Sequence, residues 1–171
     1  MELGPKQEIL LPVRPGFIVL SLLAGFLINL LPSGGIVQWL RPDLLAMILL
    51  YWCIHQPQRV GIGAAWLLGI LMDVSDAALF GEHALAYSLM AFMAIGLRRR
   101  VSMLEIDHQF THVTLLLFVM QTAIMLIGLI SKHIFAGWGY FLGSVTAGLL
   151  WPFLTHLLKL PQRPGTHPDR L

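Results

Sequence analysis

The chain has 171 residues, of which 57% are hydrophobic and 12% charged, and its formal net charge is +2. Because a soluble domain usually carries about 25% charged residues, this composition predicts an integral membrane protein and excludes an ordinary soluble enzyme domain. The 11 lysines and arginines form no basic surface interleaved with aromatic residues, so no nucleic acid is expected as a partner. The single cysteine, Cys53, lies in an apolar run and predicts a small buried side chain rather than a disulfide.

Six apolar runs predict an all-α membrane protein, a compact bundle of six transmembrane helices between two flexible tails. The tails are residues 1–15 and 159–171, and the spans are expected at about residues 16–31, 42–55, 60–73, 77–97, 112–130 and 138–158. The second and third spans are shorter than the roughly 20 residues that usually cross a bilayer. Neighbouring helices are therefore expected to shield them from lipid.

The first two spans carry local signals at their borders. Ser21, Gly25 and Asn29 lie four residues apart, so the polar Asn29 is expected to point into the bundle. The second span follows the pair Arg41 and Pro42. Because proline suits the first turn of a helix, this helix is predicted to begin at Pro42.

Two spans contain rows of small residues at four-residue spacing, which allow another helix to approach closely. The row in the third span is Gly61, Ala65 and Gly69, and the row in the sixth span is Gly139, Gly143 and Ala147. Both rows are predicted to pack against helices rather than against lipid.

An acidic turn follows the first small-residue row and contains Asp73, Asp76, Gly81, Glu82 and His83. Its spacing matches no calcium-binding loop, so a solvated turn is favoured over a metal site. Asp73 is the strongest candidate, because an ionisable residue at membrane depth often has a function. Two interpretations stay open for it: a cap on the next helix, or a contact for a partner protein.

The distribution of basic residues predicts the orientation in the membrane. With six spans and both termini in the cytoplasm, nine basic residues face the cytoplasm: Lys6, Arg14, Arg59, Arg98, Arg99, Arg100, Lys159, Arg163 and Arg170. Two, Arg41 and Lys132, face outside. The positive-inside rule favours this orientation, which puts the acidic turn outside. Arg98, Arg99 and Arg100 are a candidate cluster for anionic lipid, although orienting the chain is the simpler role.

No residue pattern predicts an enzyme or a cofactor. His108 and His112 have the helical spacing of a zinc motif, but Gln109 occupies the position of the catalytic glutamate and cannot act as a base. The sequence also lacks a nucleophile elbow, a phosphate loop and a dinucleotide fingerprint. An intramembrane hydrolase is therefore disfavoured.

Four blocks of the chain carry a family resemblance. They are RPDLLAMILLYW, QPQRV followed by GIGAAW, GILMDVSDAALFGEHALA, and GLLWPF. In this order they resemble the corresponding blocks of the MreD family of bacterial rod shape-determining membrane proteins, over about residues 16–158. Asp73 matches the aspartate that closes the family's glycine-rich helix, and Gly81 matches the glycine that follows it.

The resemblance implies a non-catalytic subunit of the cell-elongation machinery in the bacterial inner membrane. It also implies an arrangement similar to the substrate-binding membrane subunits of energy-coupling-factor transporters. The implied partners are an MreC-like protein, a RodA-type glycosyltransferase, a class B penicillin-binding protein, an MreB-like filament and membrane lipid. The alternative is a solute-binding or transport subunit with a polar cavity, for which the candidate lining residues are Asn29, Asp73, Glu82, Gln121 and Thr122.

Overall fold

A computed structural model of the chain describes residues 13–32, 34–76, 81–104, 108–132 and 137–162, which form helices and turns and contain no strand. The α-helices are α1 (Pro15–Asn29), α2 (Ile36–Leu40), α3 (Leu44–His55), α4 (Ile62–Ser75), α5 (Glu82–Met103), α6 (Gln109–Lys132) and α7 (Leu142–Lys159). Short 3-10 helices, Trp138–Phe141 and Leu160–Gln162, flank α7. The all-α prediction is confirmed.

The first three predicted spans match helices whose ends are shifted. The helix of the first span ends at Asn29 rather than at residue 31. The prediction that the second begins at Pro42 is wrong: α3 begins at Leu44, because the Asp43 side chain accepts a hydrogen bond from the Ala46 backbone and caps the helix. The third span corresponds to α4, which continues past residue 73 to Ser75.

The last three spans also differ from the predicted bounds. Helix α5 begins at Glu82 and continues through the three arginines to Met103, while residues 77–80 of the predicted span lie outside the described residues. Helix α6 is longer than predicted at both ends. The sixth span begins as a 3-10 turn, and its α-helix starts at Leu142.

Two of the described helices are long and apolar enough to cross a membrane by length and composition, over Gln109–Ser131 and Trp138–Gln162. Helices α1 and α4 are apolar but shorter, with 15 and 14 residues. Helix α5 has 22 residues, but it carries Glu82 in its first turn and the three arginines near its end. The count of six spans therefore stays a prediction.

Helix α3 lies at the centre of the bundle. Its residues from Leu45 to Ile54 are all buried, and α1, α5 and α7 pack around it. A helix that is apolar on every side is stable when other helices cover it. This burial agrees with the expectation that neighbouring helices shield the short second span, and it includes Cys53, as the sequence predicts.

The remaining helices pack in chain order, α4 on α5, α5 on α6 and α6 on α7. Consecutive long helices alternate in direction, so the end of α1, the start of α3, the end of α4 and the start of α5 lie at the same end of the bundle. We call this the carboxylate end, because it holds Asp43, Asp73, Asp76 and Glu82, the four acidic residues of the described part of the chain.

Candidate functional site

Asp73 joins the end of α4 to the start of α5. Its carboxylate accepts hydrogen bonds from the backbone N–H groups of Gly81 and His83, both at 2.8 Å, and the residue as a whole is only 1% exposed. The first N–H groups of a helix have no partner within it, and the helix dipole favours a negative charge there. Asp73 therefore caps α5 from the preceding helix, which is the structural interpretation that the sequence left open.

Gly81 makes this cap possible through its backbone. It precedes the first residue of α5 with a φ of 105°, in the left-handed region that side chains with a Cβ atom rarely adopt. This conformation directs its own N–H group toward the Asp73 carboxylate. The glycine is thus required by the geometry of the turn.

The His83 ring lies near two carboxylates, those of Asp73 in α4 and of Asp76, which directly follows α4. Its Nδ1 atom is 2.9 Å from Asp73 Oδ1, and its Nε2 atom is 3.9 Å from Asp76 Oδ2. In the tautomer with a proton on Nδ1, the ring donates a further hydrogen bond to Asp73. Partial burial raises the pKa of the Asp76 carboxyl above its ordinary value, and the nearby His83 acts in the opposite direction.

The acidic residues of the predicted turn differ in exposure. The Asp76 side chain is 46% exposed, whereas Glu82 is buried. A Cβ atom added to Gly128 would lie 3.0 Å from Glu82 Oε1, so the Glu82 carboxylate rests against α6. Asp76 is the member of this set whose carboxylate is accessible to another molecule.

The small-residue row of α4 is buried at two of its three positions, and one of them, Gly69, meets α5. Ala65 is fully buried, and a Cβ atom added to Gly69 would lie 2.6 Å from the Ala84 backbone nitrogen. Gly61 precedes the first residue of α4, and a Cβ atom there would meet only the Pro57 carbonyl oxygen, at 3.5 Å. The close contact of α4 with α5 thus depends on Gly69, next to the Asp73 cap.

Asp43 is a central residue that the sequence analysis missed. Its carboxylate accepts hydrogen bonds from Asn29 Nδ2 at 2.7 Å, from the Tyr87 hydroxyl at 2.6 Å and from the Ala46 backbone at 2.9 Å. These bonds join α1, α3 and α5, and they confirm that Asn29 points into the bundle. An aspartate directly before an apolar run is a helix-start signal that could have identified it.

Arg41, a predicted interface candidate, binds the end of α1. Its guanidinium donates hydrogen bonds to the carbonyl oxygens of Ile28 and Leu31. Carbonyl groups at a helix end have no partner within the helix, and a cation there complements the dipole. Arg41 therefore fixes the connection to α3, and the half-buried Pro42 lies between it and the Asp43 cap.

The second small-residue row is divided between two elements. Gly139 belongs to the 3-10 turn and lies against the Trp39 ring, whereas Gly143 and Ala147 are buried on α7. A Cβ atom added to Gly143 would lie 2.9 Å from Gln121 Nε2 and 3.1 Å from the Arg41 carbonyl oxygen. Both parts of the row face other elements of the bundle.

The opposite end of the bundle holds the basic cluster and the candidate zinc motif. Arg98 is half-buried, while Arg99 and Arg100 are exposed near the end of α5. Gln109 accepts a hydrogen bond from Trp151 Nε1 at 2.9 Å and donates one to the Leu104 carbonyl oxygen. Its amide thus ties α6 to α7, and the described residues include no group of three side chains suited to hold a metal ion.

A family model and a curated relative both match this chain over most of its length. The family model described as rod shape-determining protein MreD matches residues 13–160. A curated relative, the rod shape-determining protein MreD of Haemophilus influenzae, is 30% identical over 148 residues, which cover 86% of this chain and 91% of that protein. No solved structure is a significant match.

Proposed function

Because this chain belongs to the MreD family of rod shape-determining proteins, we propose that it is a non-catalytic membrane subunit of the bacterial cell-elongation machinery. The family match over residues 13–160 is the observation that carries the proposal, and it confirms the resemblance seen in the sequence. The polar residues of the carboxylate end support a non-catalytic role, since Asp43, Asp73 and Arg41 stabilise helix ends.

The proposed topology has six spans in the inner membrane with both termini in the cytoplasm. The alternating directions of the long helices and the nine-to-two division of basic residues support it. In this topology the carboxylate end faces the periplasm and the arginine cluster of α5 faces the cytoplasm. The likeness to energy-coupling-factor subunits remains part of the proposal.

The proposed contact surface is the carboxylate end around Asp76, and the proposed partner is an MreC-like protein. Asp76 is exposed there, whereas Asp73 is buried and accepts a hydrogen bond from Gly81 at the start of α5. Charges at the rim of an interface mainly set orientation and association rate. Contacts with a RodA-type glycosyltransferase, a class B penicillin-binding protein, an MreB-like filament and lipid belong to the same proposal.

Three of the five residues proposed to line a polar cavity already have partners within the bundle. Asn29 is bonded to Asp43, Asp73 to the backbone of α5, and the Thr122 hydroxyl to the Phe118 carbonyl oxygen. Groups that serve helix ends and helix backbones are not free to recognise a solute. The contact role is therefore the function that we retain.

The proposal is tested by depleting the native protein in its rod-shaped host and complementing with variants. Wild type should restore rods, Asp76→Asn should have a mild effect, and Asp73→Leu should fail or complement weakly because the start of α5 loses its cap. Membrane levels of each variant and recovery of the MreC-like partner by affinity purification are measured together. Normal rods throughout depletion would contradict the proposal, as would full rescue by a variant that binds no wall-synthesis partner.

A further inference from the structure

An apolar groove of about 580 Å³ lies between α1 and α7, with α3 as its floor. Phe17, Ala24 and Ile28 line the α1 side, Met47 lies on the floor, and Leu154 and Leu157 line the α7 side. Its volume falls in the range of about 300–1000 Å³ that is usual for ligand pockets. The groove reaches the carboxylate end at Ile28 and Leu44, and none of the four carboxylates lines it.

The lining offers no free polar group to a ligand. Ser21 is its one polar side chain, and its hydroxyl donates to the Ile18 carbonyl oxygen at 2.8 Å and accepts from Trp52 Nε1 at 2.9 Å. A polar solute would lose its hydration in this groove without gaining hydrogen bonds. The occupant is therefore apolar where it contacts the groove.

The length of the groove matches a hydrocarbon chain of one leaflet. From Phe17 to Ile28 the α1 side rises about 16 Å at 1.5 Å per residue, close to half of the roughly 30 Å hydrocarbon core. The acyl chain of a lipid in one leaflet matches the length and is thin enough to enter.

Basic residues flank the end of the groove that Phe17 and Pro161 form. Arg14 immediately precedes α1 and is exposed, and Lys159 lies between the lining residues Leu158 and Leu160. The four carboxylates of the described residues are at the other end of the bundle. This charge distribution is complementary to an anionic headgroup at the surface.

We propose that the groove between α1, α3 and α7 binds one acyl chain of an anionic phospholipid, whose headgroup lies at Arg14 and Lys159. The site differs from the arginine cluster of α5, because it combines a chain-sized slot with two cations at its mouth. It does not depend on which partner proteins the chain binds.

The test is native mass spectrometry of the purified full-length protein, titrated with dioleoyl phosphatidylglycerol or dioleoyl phosphatidylcholine. Two cations at the headgroup predict a preference of about 30-fold for phosphatidylglycerol. The double variant Arg14→Gln and Lys159→Gln should lose this preference and still bind lipid. The control double variant Arg99→Gln and Arg100→Gln should keep it.

Filling the groove with a larger side chain tests whether it binds an acyl chain. Ala24→Phe should remove most of the bound lipid, whereas Ala64→Phe, in the smaller groove between α1 and α4, should not. Equal lipid binding by wild type and Ala24→Phe would overturn the proposal, as would an unchanged lipid preference in the first double variant. The Ala24→Cys variant can also be treated with a maleimide cross-linker in native membranes. A product heavier by the mass of a second protein would overturn the proposal, because a partner helix would then occupy the groove.

Discussion

Asp73 Oδ1 lies 2.8 Å from the backbone nitrogen of His83, so a side chain near the end of one helix caps the start of the next. This hydrogen bond connects the two helices of the α4–α5 hairpin, and the Asp73 side chain is 0% exposed. The hairpin is therefore held by a buried carboxylate and by the close contact at Gly69. Substitutions at Asp73 and at Gly69 separate these two contributions.

Replacing Asp73 should destabilise the protein far more than replacing Asp76. Asp73→Ala removes a helix cap and leaves buried N–H groups unpaired, at a cost of about 2–4 kcal/mol in the free energy of unfolding. Asp76→Ala, at an exposed position, should change it by less than about 0.5 kcal/mol. Thermal unfolding in detergent, with hydrogen exchange at residues 81–84, measures both effects. Similar losses in the two variants would show that Asp73 is not the cap that stabilises α5.

Adding one methyl group at Gly69 should separate α4 from α5. A Cβ atom there meets the backbone of Ala84, which cannot move aside as a flexible side chain would, so Gly69→Ala should cost about 1–3 kcal/mol of unfolding free energy. Gly63→Ala is the matched control on the same helix, because a Cβ atom at Gly63 meets nothing within 4 Å. Unfolding in detergent measures both variants, and equal stability would rule out a tight seam at Gly69.

Tyr87 and Asp43 should be energetically coupled. The Tyr87 hydroxyl donates to Asp43 Oδ2 at 2.6 Å, and a hydrogen bond to a charged group contributes about 1.5–3 kcal/mol. A double-mutant cycle of Tyr87→Phe and Asp43→Asn should give a coupling energy of about 0.5–3 kcal/mol in unfolding experiments. Strictly additive effects would mean that this bond does not connect α5 to α3 in solution.

The proposed orientation can be tested by cysteine labelling. On a Cys53→Ser background, Asp76→Cys should react with a membrane-impermeant maleimide in intact spheroplasts, and Arg99→Cys should react only after permeabilisation. Both native side chains are exposed, so burial does not confound the comparison. The reversed labelling pattern would refute the six-span topology with cytoplasmic termini.

Some helix ends could have been predicted more closely from the sequence. Pro42 predicts the first turn of the helix, but Asp43 is the capping residue and α3 begins at Leu44. The position of Asp73 at the end of an apolar run predicts a possible cap, whereas its burial does not follow from the sequence. Burial depends on how closely α4 and α5 approach, which is a property of the packed pair rather than of either segment.

Composition and spacing along single helices are enough to predict the apolar helices, their order, the inward direction of Asn29 and the close approach at Gly69. The packing of distant helices is what makes Asp43 join α1, α3 and α5, brings Gln109 to Trp151, and buries Glu82 while Asp76 stays exposed. Tyr87 is 44 positions from Asp43, and Trp151 is 42 positions from Gln109. No local pattern encodes such a pair, since the partner of a buried polar group is whichever side chain the packing of distant helices brings within hydrogen-bond distance.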